Sequence, residues 1–337
     1  MAKIWQLLDA DPSIRKALED FDQKWASTAP FQFVSSGSTG PAKSHQFTKA
    51  QVLASAKRSN RAFELTASSR VLLCLSLKTV GGYMQLARAK AAGFELFIQK
   101  ATSRPLQHWN GPLDFVAMVP TQLHESLRHD LEKLRQCRCI LIGGGALSAV
   151  DEALVQTYKL PLWQSYGMTE TLSHVALRRV SESTYFEALA GVSFSQMNGC
   201  LCINDAQLGI TNLMTTDCVR LLDQTHFEWL GRADFAINTG GFKVHPEAIE
   251  TKLSSQLSTP FFISSLPDPK WGNIVVLLIE GTAPIPSNFN FLETHERPKK
   301  IAYSEAFSRS ASGKILRTET LKRLDASAWK LIESKIE

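Results

Sequence analysis

Short apolar runs alternate with amphipathic segments along the first half of the chain. The runs, four or five residues long, occupy residues 71–75, 94–98, 115–119 and 139–142, and a further strand-like segment covers residues 160–164. Helix-like segments lie between them, and one of these, residues 48–65, opens with the capping-box pair Thr48 and Gln51. Strands that alternate with helices are typical of an α/β fold with a parallel sheet. The pattern therefore predicts an α/β class.

After residue 234, predicted helices and strands no longer alternate regularly. A helix is predicted at residues 246–253, strands at 273–279 and 299–303, and a closing helix after residue 314. A chain of 337 residues has room for about two domains. We expect a large N-terminal nucleotide- and acid-binding domain at residues 1–233 and a small, mobile C-terminal α+β domain at residues 234–337.

Composition and charge exclude several classes of protein. Hydrophobic residues make up 44% and charged residues 20%, as in soluble globular proteins, and no apolar run approaches the roughly 18 residues of a spanning helix. Asp9 and Asp11 stand where a signal peptide needs an apolar core, so we expect a cytoplasmic protein without membrane insertion. The net charge of +5 is an ordinary solubility charge, and the scattered Lys and Arg residues predict no nucleic-acid partner.

The six cysteines do not suggest a metal centre. Cys137 and Cys139, like Cys200 and Cys202, are separated by one residue in strand-like alternations. Neither pair has the spacing or the histidine partners of a zinc site. We therefore expect buried or edge thiols.

Candidate chemistry begins with the segment SSGSTGPAK at residues 35–43. Glycines let backbone N–H groups approach an anion closely, hydroxyls add donors, and a lysine adds positive charge. The spacing excludes a Walker A loop, which requires Gly, four residues and then Gly-Lys-Ser/Thr. The segment predicts a phosphate-binding loop, although its composition alone also fits a flexible linker. The candidate ligands are Ser36, Gly37, Ser38, Thr39, Gly40 and Lys43.

Three further segments carry polar and glycine residues at fixed spacing: YGMTET at residues 166–171, GRADFAINTGGFKVHPEAIE at 231–250 and SRSASGKILR at 308–317. Together with the first segment, they resemble the motifs of the acyl- and aryl-adenylate-forming enzymes, in family order, over residues 31–317. Departures from the family pattern occur at Ala42, Asn238 and Ser308, and Thr216 replaces the glycine of a T-G-D element. Since only 34 residues precede Ser35, the resemblance implies an N-terminally truncated adenylate-forming fold.

The resemblance implies ATP, Mg²⁺ and CoA as ligands and assigns roles to residues of each segment. Lys314 contacts both the attacking carboxylate and the α-phosphate, Thr169 reaches the α-phosphate, and Glu170 holds Mg²⁺. The adenosine contacts are Gly143, Gly144, Gly145, Tyr166, Gly167, Asp217 and Arg232. Asp234 is the hinge between the domains, and Gly240 and Gly241 lie where the pantetheine arm of CoA enters.

Within that family the chain looks like the short o-succinylbenzoate:CoA ligases of menaquinone biosynthesis. Arg88, five residues before Gly93, matches an arginine that faces the distal carboxylate of the acid, with Lys78, Ser173 and His174 as further candidates for this pocket. A guanidinium offers the planar fork of donors that suits a carboxylate. The alternative is that Arg88 only solvates a helix face.

The implied mechanism is adenylation of the acid, followed by thioester formation after the small domain rotates about Asp234. Two other enzyme readings remain open: another aryl- or acyl-CoA ligase, and an adenylation enzyme that loads a carrier protein. A non-catalytic nucleotide-binding module is disfavoured by the presence of Glu170 and Lys314. The oligomeric state is left open between a monomer and a homodimer.

Overall fold

The computed structural model of the protein describes residues 4–9, 11–34, 43–254, 256–257, 259–309 and 315–332. The helices are α1 (Pro12–Ala26), α2 (Lys49–Ala62), α3 (Val80–Ala92), α4 (Pro120–His129), α5 (Leu131–Arg135), α6 (Ala149–Thr157), α7 (Pro246–Leu253) and α8 (Arg317–Leu321). The first ten strands are β1 (Trp5–Leu7), β2 (Phe31–Val34), β3 (Ser44–Phe47), β4 (Arg70–Leu73), β5 (Glu95–Ile98), β6 (Phe115–Met118), β7 (Ile140–Ile142), β8 (Leu162–Gly167), β9 (His174–Arg179) and β10 (Phe186–Ala188). The others are β11 (Val192–Met197), β12 (Cys200–Asp205), β13 (Ile210–Leu221), β14 (His226–Arg232), β15 (Ile237–Thr239), β16 (Phe242–Val244), β17 (Phe261–Asp268), β18 (Gly272–Glu280), β19 (Lys300–Ser304) and β20 (Lys330–Leu331).

The largest sheet joins a parallel half to an antiparallel half. Its order is β1-β5-β4-β6-β7-β8-β9-β10-β14-β13-β12-β11. The strands from β1 to β8 in this order pair in parallel, which confirms the predicted α/β class. From β8 onward every pairing is antiparallel, a half that the sequence pattern did not predict. Antiparallel strands are joined by short turns, so this half lacks the helical segments that marked the first half.

Helix α2 begins where the capping box predicts. The Gln51 backbone N–H donates to Thr48 Oγ1 at 3.3 Å, and the Thr48 N–H donates to Gln51 Oε1 at 2.8 Å. The helix ends at Ala62, three residues before the predicted end, and Glu64 then takes the left-handed backbone conformation with φ of 53°. A left-handed residue cannot continue a right-handed helix.

Helix α3 is buried along most of its length and carries Arg88. Thr79 caps its first turn through a bond from the Gly82 N–H, and Gly93 ends it with φ of 78°. Asn60 of α2 donates to the Arg88 carbonyl oxygen at 2.9 Å, which joins the two helices. Arg88 therefore lies inside the protein, with 2% exposure, rather than on a solvated helix face.

Strands β2 and β3 form a separate antiparallel hairpin around residues 35–42. Phe33 and Phe47 point inward and are buried, whereas Val34 and Ser44 are exposed. The two phenylalanines join the main core cluster, which fixes the hairpin against the large sheet. The ends of both strands are thereby held on either side of the predicted phosphate loop.

The C-terminal part of the described chain has a sheet and core of its own. Strands β17, β18, β19 and β20 form a four-stranded sheet, and β15 pairs with β16 in a hairpin. Helix α7 has the predicted bounds and packs on β17 through Ile249 and Leu253, both fully buried. A 3₁₀ turn that contains Asp234 follows β14 directly. The domain boundary at this residue stays a prediction.

The cysteines are reduced, and Cys200 and Cys202 lie in β12. Among the described residues, no helix is both long and apolar enough to cross a membrane.

Candidate active site

Two glycine segments lie where parallel strands end, the edge at which ligands bind in open α/β sheets. Gly143 follows β7, and Gly167 ends β8. A Cβ at Gly143 would lie 2.8 Å from Ser165 Oγ, and one at Gly167 would lie 2.4 Å from the Ser173 carbonyl oxygen. Gly144 needs glycine for another reason, since its φ is 80°. Glycine is therefore required at Gly167, which approaches backbone atoms, and favoured at Gly144, whereas Gly143 approaches only the rotatable Ser165 side chain and Gly145 has ordinary contacts with Pro120.

Thr169 and Glu170 lie in a 3₁₀ turn directly after β8. The Thr171 hydroxyl donates to the carbonyl oxygens of Met168 and Ser173, which holds the turn closed. Leu172 follows with φ of 62° and is fully buried. A buried leucine in this conformation is strained, and such strain persists only where surrounding contacts enforce it. The turn therefore presents Glu170 in a fixed position.

The Glu170 carboxylate faces His45, a residue that the sequence analysis did not single out. His45 Nε2 is 3.4 Å from Glu170 Oε1, and the two side chains are 22% and 30% exposed. His45 belongs to β3, so this contact joins the strand after the predicted phosphate loop to the predicted metal ligand. The sequence did contain one signal for His45. Side chains alternate between the two faces of a strand, so His45 shares the inward face of β3 with Phe47.

Tyr166 and Asp217 form a second cluster. The Tyr166 hydroxyl donates to Asp217 Oδ2 at 2.6 Å, and Trp229 Nε1 donates to Asp217 Oδ1 at 3.1 Å. Burial, and then the neighbouring Asp217 carboxylate, raise the pKa of Tyr166 well above its usual value. The tyrosine thus stays a neutral donor that orients the carboxylate. Trp229 is a partner that no sequence motif indicated.

Arg232 lies across from Asp217 in the register of β13 and β14. Its guanidinium donates to Thr216 Oγ1 at 2.8 Å and to Asp234 Oδ2 at 2.6 Å. The arginine predicted to contact ribose therefore also pairs with the predicted hinge residue.

The third cluster brings Arg88, Ser173 and His174 together. Arg88 Nη2 donates to Ser173 Oγ at 2.9 Å and faces His174 Nδ1 at 3.4 Å. His174 begins β9 opposite Gly167, so the Gly167 turn aims it at α3. Three of the four residues predicted for the acid pocket are therefore neighbours. Lys78 lies in the exposed turn before α3.

The electrostatics of this cluster leave a positive charge without a carboxylate. Burial lowers the pKa of Arg88 to about 10, so it is still charged at neutral pH. Burial, followed by the charges of Arg88 and Arg58, lowers the pKa of His174 well below its usual value. The described partners of Arg88 are thus both neutral.

The contact with Arg88 favours one tautomer of His174. A guanidinium can only donate, so Nδ1, which faces Arg88, is the acceptor, and the proton of the neutral ring lies on Nε2. His174 Nε2 and Arg88 Nε are both buried and have no hydrogen-bond partner among the described residues. The cluster therefore has a buried positive charge and two unpaired N–H donors, a combination that suits an anionic acceptor.

A buried ion pair lies beside this cluster. Arg58 Nη2 is 2.8 Å from Asp205 Oδ2, with side-chain exposures of 1% and 0%. Asp205 also accepts hydrogen bonds from the N–H groups of Gln207 and Leu208. The pair ties α2 to the antiparallel half of the large sheet and leaves Arg88 as the guanidinium without a carboxylate. Neither residue belongs to a motif, so sequence reasoning missed both.

Other predicted site residues lie apart or outside the described part of the chain. Gly240 and Gly241 form the turn between β15 and β16, with φ of 57° and 86°. The Trp271 indole covers Gly240 so closely that a Cβ there would lie 2.5 Å from its ring. Lys43 is exposed just before β3. Ser36, Gly37, Ser38, Thr39, Gly40 and Lys314 lie outside the described residues.

The residues around Glu170 fit a magnesium ion that is held mainly by phosphate. Within the described ranges, no group of three or more His, Cys, Asp and Glu side chains could hold a metal by itself. Mg²⁺ is usually bound through one or two carboxylates together with substrate phosphates, not by an all-protein cage. Glu170 offers one partly exposed carboxylate, which matches that mode.

Comparison with known proteins shows which proteins the chain is similar to. A family model described as AMP-binding enzyme matches residues 9–197, more than half of the chain. The 2-succinylbenzoate–CoA ligase of Lactococcus lactis is 27% identical over 236 residues, which cover 62% of this chain and 52% of that protein. The Bacillus subtilis enzyme of the same name is 24% identical over 94% of this chain and 74% of its own length.

Solved structures show the same fold. An acyl-CoA synthetase (AMP-forming)/AMP-acid ligase II-like protein from Dyadobacter fermentans is 32% identical, with a TM-score of 0.63, over 95% of this chain and 97% of its own. The o-succinylbenzoate CoA synthetase of Bacillus subtilis, in complex with its acyl-adenylate intermediate, has a TM-score of 0.75 at 22% identity, over 87% of this chain and 69% of that one. These similarities confirm the predicted adenylate-forming fold.

The lowered pKa of His174 predicts how stability depends on pH. Below the ordinary histidine pKa of about 6.5, the unfolded chain binds a proton that the folded protein excludes. The free energy of unfolding should therefore fall with decreasing pH, by up to about 1.4 kcal/mol per pH unit from this residue. Urea unfolding at pH values of about 7 and about 5 should show a smaller decrease for His174→Gln than for the wild type. The exposed His129→Gln is the control, and an unchanged decrease in His174→Gln would contradict a buried neutral imidazole.

Proposed function

We propose, on the premise that this chain belongs to the AMP-binding enzyme family, that it is an ATP- and Mg²⁺-dependent CoA ligase for o-succinylbenzoate. The reaction is AMP-forming: the acid is adenylated and its acyl group is then transferred to CoA. The names of its relatives support an acid–thiol ligase of this kind. A place in menaquinone biosynthesis and a cytoplasmic location follow from the same proposal.

The observation that carries the substrate assignment is the buried guanidinium of Arg88. o-Succinylbenzoate has two carboxylates, one for adenylation and one at a distance from it. A distal carboxylate beside Arg88 would supply the missing negative charge and accept from Arg88 Nε and His174 Nε2, which lack acceptors. Ser173 Oγ accepts from Nη2 on the same edge of the guanidinium, which helps to hold the group in place. A monocarboxylic acid would leave the buried charge unpaired, which is costly.

In the adenylation step, a carboxylate oxygen of the acid attacks the α-phosphorus of ATP, and pyrophosphate leaves. Lys314 contacts the attacking carboxylate and the α-phosphate, and the Thr169 hydroxyl donates to the α-phosphate. Glu170 would hold Mg²⁺, which when bound would neutralise charge on the phosphate oxygens. Tyr166 and Trp229 orient the Asp217 carboxylate so that it can accept the ribose hydroxyls. Stabilisation of the charge that develops in the transition state is the main contribution of such groups.

In the second step, the CoA thiol attacks the acyl carbonyl carbon, AMP leaves, and the thiol proton passes to solvent. We infer that the residues after Asp234 rotate between the two steps, which removes Lys314 and brings the turn at Gly240 and Gly241 to the site. Both glycines have left-handed backbone conformations, and no side chain lies over Gly241, which leaves room for a narrow ligand arm.

A panel of acids tests the proposed substrate. We expect ATP–pyrophosphate exchange that depends on o-succinylbenzoate and is poor with benzoate, because only the first acid places a carboxylate beside Arg88. CoA consumption would then separate a CoA ligase from an enzyme that loads a carrier protein. Equal exchange with both acids would contradict the substrate assignment and favour another aryl-CoA ligase.

A second test removes the guanidinium while keeping similar volume. In Arg88→Met, kcat/KM for o-succinylbenzoate should fall by the value of a charged hydrogen bond, about 1.5–3 kcal/mol or about 10- to 150-fold. The residual activity with benzoate should change little. The wild type and the variant, each assayed with both acids, form a double-mutant cycle. KM for ATP should also be unchanged. Equal losses with both acids would mean that Arg88 supports the fold and not the distal carboxylate.

A further inference from the structure

We propose that His45 is a positioning residue for Glu170, and that it holds this carboxylate in the orientation that binds magnesium against the nucleotide phosphates. This inference rests on the proposed function and extends it to a residue outside the four sequence motifs. It begins with the 3.4 Å contact between His45 Nε2 and Glu170 Oε1.

The two residues come from elements that share no backbone pairing. His45 lies on the β2–β3 hairpin, whereas Glu170 lies in the 3₁₀ turn after β8 of the large sheet. Side-chain contacts alone therefore set the position of the hairpin relative to Glu170.

The environment of His45 supports a directed contact. The Nε2 atom is buried, although the side chain as a whole is 22% exposed. His45 pairs with the buried Phe33 in the hairpin register and points to the same side as the buried Phe47. Its neighbour Gln46 points outward and is exposed. The strand alternation therefore aims the imidazole at Glu170.

The contact uses one oxygen of the carboxylate. At 3.4 Å the two atoms are in contact but not hydrogen-bonded, and Nε2 has no hydrogen-bond partner among the described residues. A small rotation of either side chain would let Nε2 donate to Oε1, which would leave Oε2 for the metal. Carboxylates that bind metals are commonly oriented by a hydrogen bond to their other oxygen, and loss of such a partner typically costs about 10- to 100-fold in metal affinity. Without His45, the Glu170 side chain can rotate about its side-chain torsions. Ordering it then has an entropic cost that weakens Mg²⁺ binding.

The test measures binding of ATP as a function of Mg²⁺ concentration, by calorimetry, in the absence of any acid. In His45→Leu, the Mg²⁺ concentration that gives half-maximal enhancement of ATP binding should rise about 10-fold or more. ATP binding without Mg²⁺ should be unchanged. His45→Gln, whose amide nitrogen can reach the place of Nε2, should restore most of the Mg²⁺ response. Gln46→Leu, on the outward face of the same strand, is the matched control.

Three outcomes would overturn the proposal: an unchanged Mg²⁺ response in His45→Leu, an equal change in Gln46→Leu, or weaker ATP binding in His45→Leu without Mg²⁺. The last result would assign His45 to packing of the hairpin. Failure of the substrate assignment would be recognised separately, since it would appear as absent exchange with o-succinylbenzoate while the Mg²⁺ response of ATP binding stayed intact.

Discussion

The buried charge of Arg88 is the constraint on which the account of this site depends. A guanidinium inside a protein is costly unless a carboxylate and good hydrogen bonds compensate it. The neighbouring Arg58 has a carboxylate partner in Asp205, although its guanidinium nitrogens make no hydrogen bond among the described residues. The described neighbours of Arg88 supply only a hydroxyl and a neutral imidazole. A buried charge of this kind becomes more favourable once an anion binds beside it, which links the stability of the protein to the proposed recognition of its substrate.

The surrounding fold explains how this charge is kept in place. Helix α3 is capped at both ends and packed against α2, so the Arg88 backbone is fixed. The close approach of Gly167 to Ser173 and the strained Leu172 fix the opposite wall. The same turn carries Thr169 and Glu170. One short segment after β8 thus connects the metal and phosphate side of the site to its acid-binding side.

The sequence was informative where function or local chemistry restricts residue type. The apolar runs predicted the parallel strands except β1, and Thr48 with Gln51 predicted the start of α2. The grouping of Arg88 with Ser173 and His174 followed from family resemblance. Side-chain contacts between distant elements, such as His45 with Glu170 and Trp229 with Asp217, were not predictable, because each depends on how separate elements pack. The antiparallel half was missed because its strands lack intervening helices.

The most direct test of the central claim is to measure the unfolding free energy of the wild type and Arg88→Met in urea, with saturating AMP and with or without o-succinylbenzoate. At about 100 times its Kd, the acid should stabilise the wild type by about 2.7 kcal/mol. Arg88→Met should be at least as stable as the wild type without the acid, since Ser173 Oγ lies 3.3 Å from His174 Nδ1 and can donate to it in place of the guanidinium. At the same acid concentration it should gain only about 0.3–1.4 kcal/mol, because 10- to 150-fold weaker binding is expected. A variant that is destabilised without the acid and still fully stabilised by it would contradict the account.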